Sequence, residues 1–179
     1  MTSFYTEEEL KGLGLKAFGD NVLISRNAKF YGADNISIGN NVRIDDFCIL
    51  SGHITIGSNI HIGAYVALYG ADGIILEDYT GISARSTIYS AMDDFSGDYL
   101  IGPIHSEGKT KVAGGPVTLH RYSQLGAHCL IFPKVEIGEG CVIGACSMVR
   151  HNTEPWTIYV GMPAQKLKER SRGLINKLY

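Results

Sequence analysis

From Leu119 onward the chain repeats a large aliphatic residue every six positions, at Leu119, Leu125, Ile131, Ile137, Ile143 and Val149. A smaller residue follows each at an offset of four: Ser123, Cys129, Val135, Cys141, Ser147 and Thr153. Positions six apart on a helix of 3.6 residues per turn lie about 240° round its axis, so a strict six would scatter the apolar residues over every face. A short strand, a corner and another short strand repeat it without scatter. Three such hexads make one triangular turn of about 18 residues, in which the large residue fills a flat face and the small one sits near a corner. The same hexads run through Phe18, Ile24 and Phe30, slip by two, continue through Ile38, Ile44, Leu50, Ile56, Ile62 and Leu68, slip again, and give Leu76, Ile82 and Ile88. The pattern predicts an all-β parallel solenoid of about six coils, each hydrogen-bonded to the next at about 4.8 Å.

All three interruptions fall after a third hexad, so they leave the prism at one corner and stack along one edge. Two are nearly identical, residues 31–36 and 69–74, and their Gly, Asp and Asn residues suit a bulged corner. The third, residues 93–118, is a loop of the length that inside a compact domain is functional or disordered, and Phe95, Tyr99, Leu100 and Ile101 equip it for docking. At the ends, Thr6 and Glu9 form a capping box for a short helix within an N-terminal cap of residues 1–17. The prism spans residues 18–163. Pro163 and the apolar Leu167, Leu174, Ile175 and Leu178 predict a C-terminal α-helix over residues 164–179.

A net charge of −2 supplies no global field for nucleic acid or an anionic membrane. The acidic start lacks a signal sequence and no apolar run reaches spanning length, so a soluble cytoplasmic protein is expected. Cys48, Cys129 and Cys141 take the small inward position of a hexad and no C-x-x-C spacing occurs, which reads as reduced cysteines packed as small apolar residues.

The hexads at 38–42 and 137–141, the run Val142-Ile143-Gly144-Ala145-Cys146-Ser147-Met148-Val149 and the terminal Val160-Gly161-Met162-Pro163-Ala164 resemble the hexapeptide-repeat, left-handed β-helix acyltransferases. The left hand is implied by the resemblance, since ordinary crossovers are right-handed. The nearest branch holds sugar O-acetyltransferases and nucleotide-amino-sugar N-acyltransferases of bacterial surface polysaccharide pathways. It implies a homotrimer with active sites between neighbouring prisms, an acyl-CoA co-substrate and no metal. Pantetheine would lie beside the last coils, where Gly126, Ala127, Gly144 and Ala145 match the small groove positions and Arg150, Lys166 and Lys168 are candidates for coenzyme A phosphates.

Sugar O-acetyltransferases carry a catalytic histidine at the mouth of the long loop, where this chain has Asp93-Asp94. A hydroxyl acceptor profits from a base with pKa near 7, whereas a neutral amine needs chiefly a carboxylate to hold it and collect a proton. The expected reaction is therefore N-acylation of a nucleotide-linked amino sugar by Asp93 or Asp94, with galactoside-type O-acetylation through His105 as the alternative. Adjacent carboxylates raise one another's pKa, and Asp-Asp-x-Ser-Gly is also good turn chemistry. Ser83 and Arg85 lie on the preceding face, at outward positions that could hydrogen-bond a sugar or nucleotide phosphate. Two further classes compete. γ-Class carbonic anhydrases share the fold and bind zinc through three histidines, but the eight-residue spacings His53/His61 and His120/His128 put each pair on adjacent faces. A non-catalytic solenoid scaffold would bind no coenzyme A.

Overall fold

The computed structural model describes residues 3–178; Met1, Thr2 and Tyr179, the outermost residues of the expected N-terminal cap and C-terminal helix, lie outside the described residues. The chain is a parallel solenoid with three flat faces and about seven turns. The first face is built from Ala17–Phe18, Ile36–Ile38, Val117–Leu119 and Glu136–Ile137, joined by the far ends of the long strands Ile49–Ile56 and Ala67–Leu76. The second stacks Val22–Ile24, Val42–Ile44, Ile60–Ile62, Gly81–Ile82, Gln124–Leu125, Val142–Ile143 and Thr157–Val160 in parallel. The third carries Lys29–Tyr31, the near ends of the two long strands, Thr87–Tyr89, Leu130–Ile131 and Met148–Val149.

The hexad residues fill the bore. From Ile24 to Val149 each is buried except Phe30, which is half-buried in the first coil. The small residues at offset four are buried as well, including Ser123, Cys129, Cys141 and Ser147. All four cysteines are free. Burial pushes the Cys48 and Cys141 thiols up to about 11, as inert core residues require.

Two corners turn through residues with positive φ. One is lined by Asn21, Asn41, Asn59, Tyr79, Tyr122 and Trp156, the other by Phe47, Tyr65, Arg85, His128 and Cys146. The asparagines form a ladder, Asn21 donating to Asn41 and Asn41 to Asn59, each at 2.8 Å. Farther along, the ladder gives way to rings, Tyr79 against Tyr122 at 5.5 Å and Tyr122 against Trp156 at 6.2 Å. The third corner carries the interruptions. The near-identical pair diverge there: residues 33–35 form a 3-10 turn after Gly32 (φ 69°), while residues 69–74 lie within a continuous strand.

The short helix Glu7–Lys11 has the expected capping box and buries Leu10 against the first coil. The expected helix over residues 164–179 is corrected. Gln165–Glu169 is a strand running antiparallel to Thr157–Val160, followed by a 3-10 turn at Gly173–Lys177. Residues 157–160 add a rung, with Ile158 opposite Val142 and Tyr159 opposite Ile143. The reason is an unpaired edge: the last rung offers a row of N–H and C=O groups, and the chain reverses at Gly161 (φ 103°) to satisfy them. Leu167 is left exposed in that arrangement. Arg170 ties the tail down by donating to the carbonyls of Tyr122 at 2.8 Å and Gly140 at 2.9 Å.

Where the long insertion rejoins the prism, His120 bridges three successive coils. Its Nδ1 lies 3.1 Å from Glu77 and its Nε2 3.1 Å from Glu136. Partial burial opposes the charged ring, but hydrogen bonds to Glu136 and Glu77 outweigh it and raise the pKa. Because the folded pKa lies above the unfolded one, the clamp stabilises fully below the unfolded value, near 6.5, and is lost as pH rises through the folded value. With His120 about one-third exposed, solvent screening holds the contribution to roughly 1 kcal/mol. His120→Gln should therefore lower the urea midpoint at pH 5.5 and leave it nearly unchanged at pH 8.5; equal losses at both would show that the ring acts by packing alone.

Candidate functional site

The second face bears a shallow groove of about 770 Å³, lined by Asp45, His61, Tyr79, Gly81, Ser83 and Gln124 among others. Strand alternation creates it: with Ile44, Ile62, Ile82 and Leu125 turned inward, the residues between them face out. Asp45 lies 2.7 Å from Arg43 Nε and 2.7 Å from His61 Nε2. Partial burial pushes its carboxyl up, and the bonds to His61 and Arg43 pull it net below the ordinary range.

Ser83 stands at the groove's edge, where the face turns into the corner. Its N–H donates to Leu125 O at 2.9 Å, and its exposed hydroxyl has no partner among the described residues. Arg85, two residues on with φ 63°, lays its guanidinium 5.1 Å over the Tyr65 ring and pairs with no carboxylate among the described residues. This corner leads to the small residues expected to admit pantetheine. Gly126, Ala127, Gly144 and Ala145 do line up there on successive coils, but the glycines have a reason within the fold. A Cβ on Gly126 would stand 2.5 Å from Ala145 N, and one on Gly144 2.6 Å from Val160 Cγ1. Of the basic candidates, Arg150 stacks 5.4 Å from the Phe132 ring and Lys166 pairs with Glu154 at 2.5 Å. Lys168 is exposed on the antiparallel strand.

The two aspartates separate in role. The insertion begins as a hairpin, Ala91–Asp93 antiparallel to Val112–Gly114, with Asp93 opposite Val112. Asp94 is committed to that hairpin: its Oδ1 accepts from Ser96 N–H at 2.7 Å and its Oδ2 meets Lys111 Nζ at 3.1 Å. Hydrogen bonds from the Ser96 hydroxyl and N–H, then from Lys111, hold its carboxyl down to about 2. The mutual elevation expected of adjacent carboxylates is thus overturned at Asp94, because strand alternation aims the neighbours apart and gives Asp94 donors of its own. The Asp93 carboxylate is half-buried and makes no hydrogen bond or ion pair among the described residues. His105 is exposed farther along the insertion and does not line the groove.

Ser83 and Asp93 do not meet within one chain. They sit at two different corners with the third face between them, roughly 13 Å from Ser86 to Ser90 at about 3.3 Å per residue. Sequence reasoning missed Asp45, His61, Gly81 and Gln124. Aligning the hexads in threes would have put Arg43, His61, Gly81 and Gln124 in one outward column. Among the described residues no three His, Cys, Asp or Glu side chains cluster as metal ligands, and no helix is long and apolar enough to cross a membrane.

Comparison with known proteins accounts for this geometry. Residues 35–70 match the family model described as bacterial transferase hexapeptide (six repeats). A dTDP-4-amino-4,6-dideoxy-D-glucose acyltransferase of Escherichia coli is 42% identical over 97% of this chain and 92% of its own length. The galactoside O-acetyltransferase of Escherichia coli strain K12 is 30% identical over 65% of this chain and 57% of its own length. Among solved structures, a serine-to-cysteine mutant of AntD, an N-acyltransferase from Bacillus cereus, crystallised with dTDP-4-amino-4,6-dideoxyglucose and coenzyme A, superposes with a TM-score of 0.96. It is 51% identical, over 99% of this chain and 96% of that one. AntD has also been crystallised with dTDP and 3-hydroxybutyryl-CoA, and as variants replacing one serine or one aspartate. The stacked hexads, the insertion at the third corner and these likenesses over almost the whole length mean that the chain belongs to the hexapeptide-repeat, left-handed β-helix acyltransferases, in the branch of the dTDP-amino-sugar N-acyltransferases.

Proposed function

We propose that this enzyme transfers an acyl group from acyl-CoA to the amine of a dTDP-linked 4-amino-4,6-dideoxyhexose. The observation that carries the reading is the contrast between the two aspartates: Asp94 is held down to about 2 by its own hairpin, and Asp93 has no hydrogen bond or ion pair among the described residues. The serine and aspartate replaced in AntD are ten residues apart, the spacing of Ser83 and Asp93 here.

In the reaction the neutral amine attacks the thioester carbonyl, the C–N bond forms, and the C–S bond breaks to release the coenzyme A thiolate. Asp93 holds the amine by accepting a hydrogen bond and takes the proton lost as nitrogen becomes an amide; the proton passes on to the thiolate. Ser83 orients the reacting groups, and Arg85, which pairs with no carboxylate among the described residues, takes a phosphate of the nucleotide. Ser83 and Asp93 lie a full face apart, so a complete site needs Asp93 of one copy beside Ser83 of another. A homotrimer with three such sites supplies this, and the exposed Phe95, Ile101 and Ile104 of the insertion dock on the neighbour. Coenzyme A lies along the corner of Gly126, Ala127, Gly144 and Ala145, with Arg150 and Lys168 nearest its phosphates. The enzyme works in the cytoplasm, where acyl-CoA and reduced thiols coexist, and its product serves bacterial surface polysaccharides.

Mass spectrometry of products tests the reading. The protein is incubated with acetyl-CoA and 3-hydroxybutyryl-CoA against dTDP-4-amino-4,6-dideoxyglucose, other nucleotide-linked amino sugars and simple galactosides. An amide product from the first acceptor is expected; ester products confined to the galactosides would replace this reading with O-acetylation.

A further inference from the structure

The outward column of the second face reads Arg43, His61, Gly81, Gln124, Val142 and Ile158, each opposite the next in parallel register. Only Gly81 lacks a side chain, and nothing in the fold requires that. Its φ is outside the left-handed region, and a Cβ built on it would meet a single atom, Gln124 Cγ, at 3.9 Å, an ordinary van der Waals distance. Other glycines of the coils are different: a Cβ would stand 2.8 Å from Ala84 N at Gly63 and 2.5 Å from Asp78 Oδ1 at Gly57. A glycine in a strand interior forfeits packing and conformational entropy, and one that no backbone approach demands marks room kept for something else.

The gap lies on the floor of the groove, between His61 and Gln124 and two residues before Ser83. Residues two apart on a strand face the same side, so the empty position and the serine share one surface. The rim has hydrogen-bonding capacity to spare among the described residues. His61 uses Nε2 toward Asp45, leaving Nδ1, and Gln124 accepts from Arg170 through Oε1 at 3.0 Å, leaving its amide N–H groups.

We propose that Gly81 is a specificity-determining residue: the hexose ring of the acceptor rests on its bare backbone, flanked by His61 and Gln124, with its amine directed to Ser83. This rests on the N-acyltransferase reading above. A ring bearing the reacting nitrogen must lie close to Ser83, and the floor at Gly81 is open beside it, with His61 and Gln124 on either side. The size of residue 81 then sets which hexoses fit.

Gly81→Ala and Gly81→Val are compared with wild type in the full-length protein for thermal midpoint, coenzyme A affinity by calorimetry, and KM for dTDP-4-amino-4,6-dideoxyglucose. The midpoint should hold or rise, coenzyme A affinity should stay the same, and the acceptor KM should rise roughly 5- to 150-fold with valine and less with alanine. An unchanged KM in the valine variant, with wild type active, overturns the role of Gly81 and leaves the N-acyltransferase reading intact. A lowered midpoint with parallel losses of coenzyme A and acceptor binding overturns it too, by showing that the fold needs the glycine. Wild type that acylates no nucleotide-linked amino sugar removes both readings.

Discussion

Asp93→Asn should lower kcat by roughly 10²–10⁴-fold, the range for a positioned acid or base, while thermal midpoint and coenzyme A affinity stay at wild-type values. The substitution keeps the size of the side chain and removes only its charge. Because Asp93 supports no hydrogen bond or ion pair among the described residues, the fold loses nothing. Asp94→Asn should show the reverse pattern. It weakens the ion pair with Lys111 and the turn at Ser96, which loosens the hairpin, but a carboxyl held down to about 2 is a poor proton acceptor near neutral pH. Steady-state kinetics with the amino-sugar acceptor decide. A large kcat loss at Asp94 with Asp93 dispensable would move the catalytic role by one residue, and a loss confined to His105→Ala would restore the hydroxyl-acceptor chemistry.

Gly126→Val should destabilise the prism by roughly 1–3 kcal/mol or more, the cost of overpacking where neighbours cannot move aside. The added Cβ would stand 2.5 Å from Ala145 N and 2.9 Å from Ala145 Cα, both backbone atoms of the next coil. Urea unfolding would register a lower midpoint even without coenzyme A. That separates Gly126, whose identity the stacking of coils dictates, from Gly81, where the same substitution leaves the fold unharmed. A Gly126→Val protein of wild-type stability with abolished coenzyme A binding would show instead that the glycine is kept for the ligand.

The repeat of six was enough to read the prism, because a residue pointing into a bore of fixed cross-section can be only one thing at each level. Ile24, Leu50, Leu68, Ile88, Ile131 and Ile143 are all buried where the spacing put them. The corner from which the insertion leaves was legible for the same reason, since counting hexads in threes is counting faces. The loop mouth as the place for Asp93 was legible only through family likeness.

Other features depended on contacts between segments far apart in sequence. Leu167, Leu174, Ile175 and Leu178 have helical spacing, yet residues 165–169 form a strand because the last rung leaves unpaired backbone groups that local propensity does not register. The corner rings Tyr79, Tyr122 and Trp156 hold positive φ, which bulky residues avoid by themselves, because stacking on successive coils compensates. Whether Asp93 or Asp94 was free was invisible in a run of two identical residues, until the hairpin gave one of them Ser96 and Lys111. The emptiness at Gly81 likewise exists only between coils: the spacing of six assigns each residue its face, but only the stacking of the coils brings up the neighbours, 20 and 43 positions away, that make this glycine a gap rather than a necessity.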